Sequence, residues 1–187
     1  MPSYSSNYQT TLIDAFFHER DQELRQAFRE RIKKLDLRAQ LSQVSGIHDE
    51  AVLDRLIELN VEPEAIAAIA VVPLVAIAWA DGAIQEAERD TILAAAKASG
   101  IQPQDGRYPM LEYWMKKRPA AHLIEAWEHY IKDICKRLDK TEIDGLRHDV
   151  LSLARNVAEA AGGFLGIGNR VSAAEQTMLN RLEKAFS

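Results

Sequence analysis

The sequence predicts an all-α protein, a compact bundle of about eight helices. Apolar residues recur at helical spacing along the whole chain, and the alternation of a half-buried strand occurs nowhere. The 187 residues are 47% hydrophobic and 27% charged, which suits one sizeable core and leaves too little chain for two. The run from Ala65 to Ala80, AIAAIAVVPLVAIAWA, has no charged residue. It falls short of the ~20 residues of a membrane-spanning helix, lies between Glu64 and Asp81, and carries Pro73 in its middle. It reads as a central helix buried on all sides, kinked or broken at Pro73.

The other elements follow from periodicity and punctuation. A first helix is expected from Gln9 to Leu41, with Ile13, Phe17, Leu24, Phe28, Ile32 and Leu35 as its apolar stripe, interrupted by His18 to Glu23. Ser45-Gly46 stops it. A short helix from Asp49 to Leu59 follows, and Pro63 suits the first position of the next. After Asp81-Gly82, helices are expected over Glu86 to Ser99 and Tyr108 to Met115. Three more follow, from Pro119 to Leu138, Thr141 to Ala161 and Ser172 to Phe186. An apolar helix, a loop and a second helix occur at 65–99 and again at 146–186, a weak internal repeat.

The net charge of −5 argues against nucleic acid as a partner and gives little attraction to an anionic membrane. A single cysteine, Cys135, rules out an internal disulfide and Cys-based metal motifs, and its apolar stripe marks it as an inert buried thiol. The first ten residues lack a basic segment and an apolar segment, so a cytoplasmic address is expected.

The most informative run is DGAIQEAE, from Asp81 to Glu88. It matches the second half of an EF-hand calcium loop, but Ile77 and Trp79 stand where the earlier carboxylates belong. The plain reading is a helix–turn–helix joint with Gly82 at the turn, Ile84 in the core and acids at a helix N-terminus. Glu88, however, lies four residues from both Ile84 and Ile92, within an apolar stripe where a carboxylate needs a partner. Glu175 is placed likewise between Val171 and Leu179. Ser172-Ala173-Ala174-Glu175 reads as a capping box, whereas Gln85 is a poor cap for the helix of Glu88.

PLVAIAWADGAIQEAE, from Pro73 to Glu88, resembles the first signature of the TerB-like proteins, named for tellurite resistance. AEAAGGFLGIGNRVSAAE, from Ala158 to Glu175, resembles the second. The resemblance implies an all-helical, non-catalytic domain over 63–187 with two helix–loop–helix pseudo-repeats, and leaves 1–60 as a helical extension packed on it. It implies a divalent cation held by Asp81, Glu88 and Glu175, and a stress or metal-resistance role beside protein or membrane-protein partners. Oxygen-only ligands predict calcium or magnesium, and the missing half of the EF-hand loop predicts weak binding. Gly168-Asn169 stands where an Asp-Gly pair is expected, which takes one carboxylate from a symmetrical site.

Other patterns carry less. Gly163 and Gly168 have P-loop spacing, but Asn169-Arg170 replace the lysine and hydroxyl, and no strand precedes them. His122, Glu125 and His129 share a helix face that continues into Lys132 and Lys136, the pattern of a solvated surface. His18, His48 and His148 are isolated. Tyr113, Trp114, Trp127 and Tyr130 read as core. Three functions are weighed: a TerB-like metal-binding or stress module, an interaction scaffold or homo-oligomer whose acids only cap helices, and last a hydrolase using carboxylates, for which no nucleophile, base and orienter can be assembled.

Overall fold

In a computed structural model, the described residues are 7–16, 25–26, 29, 36–45, 47, 49–59, 61–84, 86–98, 101–104, 107–162 and 171–187. They form helices α1 (Asn7–Phe16), α2 (Leu37–Ser45), α3 (Glu50–Glu58), α4 (Pro63–Ala78), α5 (Glu86–Ala98), α6 (Arg107–Lys116), α7 (Ala121–Cys135), α8 (Lys140–Gly162) and α9 (Ala173–Glu183). A 3-10 turn, Lys184–Phe186, closes the chain. No strand occurs among the described residues. The all-α class holds.

Helix ends explain most boundaries. Asp49 accepts from the N–H groups of Ala51 (2.9 Å) and Val52 (3.2 Å) to start α3. Pro63 opens α4, where its missing N–H costs nothing. Several boundaries depart from the sequence reading. The helix expected from Pro119 to Leu138 runs only from Ala121 to Cys135, with Ala120 at its N-cap and Pro119 outside it. Two others have a visible cause. Of the helix expected from Gln9 to Leu41, Asp36 is not helical, and its carboxylate takes the Ala39 N–H at 3.0 Å at the start of α2. The interruption expected at His18 to Glu23, with Phe17, Leu24, Phe28, Ile32 and Leu35, lies outside the described residues. And α8 begins at Lys140 rather than Thr141, because Asp139 and Glu142 exchange backbone N–H bonds at 2.7 and 2.9 Å.

Helix α4 is the axis of the fold. Every residue from Glu64 to Ala78 is buried, and α1, α2, α6, α7, α8 and α9 all pack on it. The expected kink or break at Pro73 does not take the form of an interruption, since α4 is continuous from Pro63 to Ala78. A proline lacks the N–H that would bond the carbonyl four residues back, here that of Ile69. The indole N–H of Trp127, on α7, donates to that carbonyl at 3.1 Å. The group orphaned by the proline is thus satisfied from a neighbouring helix, which removes the main penalty for continuing through Pro73.

The core is one cluster. Leu12, Ile13 and Phe16 of α1 belong to it together with Trp127, Leu146 and Leu182. Phe16 meets Trp114 with ring centroids 6.3 Å apart, and Trp127 meets Phe186 edge-on at 5.9 Å. Helix α1 packs on α7 and α4, so the N-terminal segment shares the interior of the rest. Among the described residues, no helix is long and apolar enough to cross a membrane.

Candidate functional site

The Asp81–Glu88 segment begins where α4 ends. The Gly82 N–H bonds the Trp79 carbonyl at 3.0 Å, and Gly82 holds φ at +96°, a conformation costly to any residue with a Cβ. Asp81 is exposed, and its Oδ1 accepts from the Ala83 N–H at 3.3 Å, an Asx turn. Arg118, two residues past the end of α6, donates to the Gly82 carbonyl at 3.4 Å. Ile84 is half-buried against the core, as its spacing suggested. Glu86 opens α5 and pairs with Arg89 at 3.4 Å. Gln85 and the side chain of Glu88 lie outside the described residues.

Glu175 is buried, and its Oε2 accepts from the Ser172 N–H at 2.7 Å while Ser172 Oγ accepts from the Glu175 N–H at 3.2 Å. This is the capping box read from the sequence. It gives the carboxylate a polar partner within its own helix end, so its place in an apolar stripe needs no ion. The glycine-rich residues 163–170, including Gly168-Asn169 of the second signature, lie outside the described residues.

His122, Glu125, His129 and Lys132 of α7 and Lys136 just past its end are all exposed, the solvated face that their order implies, with the His129 ring 6.1 Å from that of Tyr8. Among the described residues, no three of the His, Cys, Asp and Glu side chains are grouped to hold a metal ion. Cys135 is half-buried, and burial pushes its thiol up to about 11. At neutral pH it stays protonated and a poor nucleophile. Burial, assisted by the charges of Asp133 and Glu62, likewise raises the Tyr130 phenol. Its hydroxyl donates to Gln9 Oε1 at 2.9 Å, tying α7 to α1.

Two polar arrangements were not legible beforehand. Glu64, only 4% exposed at the start of the apolar α4, is met by Arg25 at 3.7 Å and in close contact by Arg29. A carboxylate at this depth is tolerable only when paired. The second is a groove of about 470 Å³ along α8, lined by Arg147, His148, Ser152, Arg155 and Asn156, with Asp144, Leu151 and Glu183. The helical spacing of His148, Ser152, Arg155 and Asn156 is in the sequence; what the sequence does not show is the hollow they line together with Glu183 of α9.

Compared with family models, with curated proteins and with solved structures, the chain matches none.

Proposed function

We propose that this chain is a non-catalytic helical domain of the TerB-like kind, acting as an interaction scaffold, with Asp81 and Glu175 serving a turn and a helix end. The observation that carries this reading is the occupied state of the two carboxylates: Asp81 on the Ala83 N–H, Glu175 in a closed capping box. Arg118 against the Gly82 carbonyl adds a guanidinium at the same turn. The pseudo-repeat has support in the packing. If α4–α5 and α8–α9 are equivalent units, exchanging them turns the α5–α8 contact into an α9–α4 contact, and both exist, although α8 packs on α9 more closely than α4 does on α5. The protonated states of Cys135 and Tyr130 fit a protein that does no nucleophilic chemistry.

A second reading has one observation in its favour. Asp81 is exposed, so a divalent cation could reach it and complete its shell with Glu88 and water. Thermal unfolding in calcium, magnesium and chelator separates the two. The scaffold reading expects no cation-dependent shift up to millimolar calcium, and an Asp81→Asn loss of stability that is the same with and without the ion. A bound ion would stabilise by RT ln(1 + [L]/Kd), about 2.7 kcal/mol at a hundredfold excess over Kd. If that increment exists and both Asp81→Asn and Glu88→Gln abolish it, the metal reading replaces the scaffold.

A further inference from the structure

We infer that the groove along α8 is a binding site for a small phosphorylated polyol, with Arg155 and His148 holding the phosphate. His148, Ser152, Arg155 and Asn156 fall at i, i+4, i+7 and i+8 of α8, one face of a helix. All four line the same groove, and all four carry N–H or O–H donors. At about 470 Å³ it lies within the range of small-molecule sites.

The charges in the groove are segregated. Arg147 is already paired with Asp144 at 2.9 Å, which closes one end electrically. Among the described residues Arg155 and His148 form no ion pair, so no described carboxylate competes for their donors. A guanidinium forks two N–H bonds onto a tetrahedral oxyanion, and a hydroxyl and an amide beside it supply more donors.

The rest of the ligand is set by what the groove lacks. Leu151 is the one apolar side chain among its lining residues, so an apolar or aromatic body would gain little there. Glu183, on the α9 side, can only accept, and it matches a hydroxyl of the ligand rather than a second phosphate. The adjoining hollow of about 460 Å³ shares Arg147 and Glu183 and adds Lys184, giving room along the same line. This inference stands apart from the scaffold reading, and the absence of a metal response would leave it untouched.

Amide NMR titration of the full chain tests it, with glycerol phosphate, inorganic phosphate, glycerol and acetate as separate probes. The expected result is saturable shifts confined to 144–156 and 183 with glycerol phosphate in the millimolar range, weaker ones with inorganic phosphate, and none with glycerol or acetate. Arg155→Ser, a change at an exposed position, should leave the free spectrum folded and weaken glycerol phosphate about tenfold, the loss of one charge-assisted contact. Glu183→Gln should weaken glycerol phosphate and leave inorganic phosphate unchanged. No saturable shift, equal shifts from acetate, or undiminished binding by Arg155→Ser would each overturn the assignment.

Discussion

Trp127→Phe, made alone and together with Pro73→Ala, tests the account of how α4 crosses its proline. In the wild type the Ile69 carbonyl sits mid-helix, in a stretch where every residue is buried, and takes the Trp127 indole N–H at 3.1 Å. Phenylalanine has no donor. Trp127→Phe therefore leaves a buried acceptor unsatisfied, about 1–3 kcal/mol, and adds a packing loss of roughly 1–3 kcal/mol because Trp127 is fully buried. In the Pro73→Ala background, the new backbone N–H at that position can bond the Ile69 carbonyl as in any helix. Only the packing loss then remains. The two substitutions should thus couple by about 1–3 kcal/mol, with Trp127→Phe milder once Pro73→Ala has been made. Urea unfolding followed by far-ultraviolet circular dichroism measures all four corners of the cycle. Costs that add to within about 0.5 kcal/mol would show that the indole bond does not compensate for the proline.

Four further outcomes follow from single contacts. Arg25→Ala with Arg29→Ala leaves the Glu64 carboxylate buried without its cations and should cost more than Glu64→Gln. About 2–3 kcal/mol is expected against about 1, below the cost for a fully buried pair because Arg29 is half exposed; the reverse order in urea unfolding refutes it. Ser172→Ala and Glu175→Gln should each cost about 1 kcal/mol and be non-additive, since both dismantle one helix end. Gly82→Ala should cost about 1 kcal/mol through its φ of +96° alone, because an added Cβ would sit 3.9 Å from Arg118, and Gly82→Asn should recover part of that in thermal melts. Cys135 should react with iodoacetamide at neutral pH about a hundredfold more slowly than an ordinary thiol, as a shift from 9.0 to about 11 requires, and faster as pH climbs through that interval. The raised value also means that the folded state keeps a proton the unfolded chain releases. Its stabilising contribution is whole below pH 9 and fades as pH rises toward 11.

What could be read from the sequence was local. Pro63 and the Ser172–Glu175 box act over one to three residues, and each stands where its pattern placed it; Asp49, expected as the first helical residue, is instead the N-cap of α3. Local signals also fail: Pro119 does not open α7, which starts at Ala121, and the reciprocal Asp139–Glu142 pair rather than Thr141 starts α8. What could not be read was any polar contact made across the fold. Trp127 finds Ile69 across 58 residues, Glu64 meets Arg25 and Arg29 from at least 35 away, and Arg118 reaches Gly82 from 36. For the candidate site, the Asp-Gly turn was legible because Gly82 punctuates it. The guanidinium beside it was not, since no spacing rule joins 118 to 82.

Those distant contacts answer a problem that the sequence of α4 creates. An amphipathic helix is oriented by its apolar stripe, but a helix apolar on every side gains as much from burial in one rotation as in another. Something else must choose the rotation, and directional polar bonds are the available device. α4 has one near each end and one at the middle. Glu64 faces Arg25 and Arg29 at its start, the Ile69 carbonyl faces Trp127 at its centre, and the Trp79 indole donates to the Trp114 carbonyl at 2.9 Å just past its end. Each ties α4 to a different part of the chain: the segment after α1, then α7, then α6. Rotating α4 by one residue, about 100°, would turn the Glu64 carboxylate, the Ile69 carbonyl and the Trp79 indole away from their partners together. The same three bonds also fix where Asp81 and Gly82 emerge relative to Arg118, because the turn follows directly from Trp79. The geometry of the candidate turn is therefore set by the anchoring of the central helix.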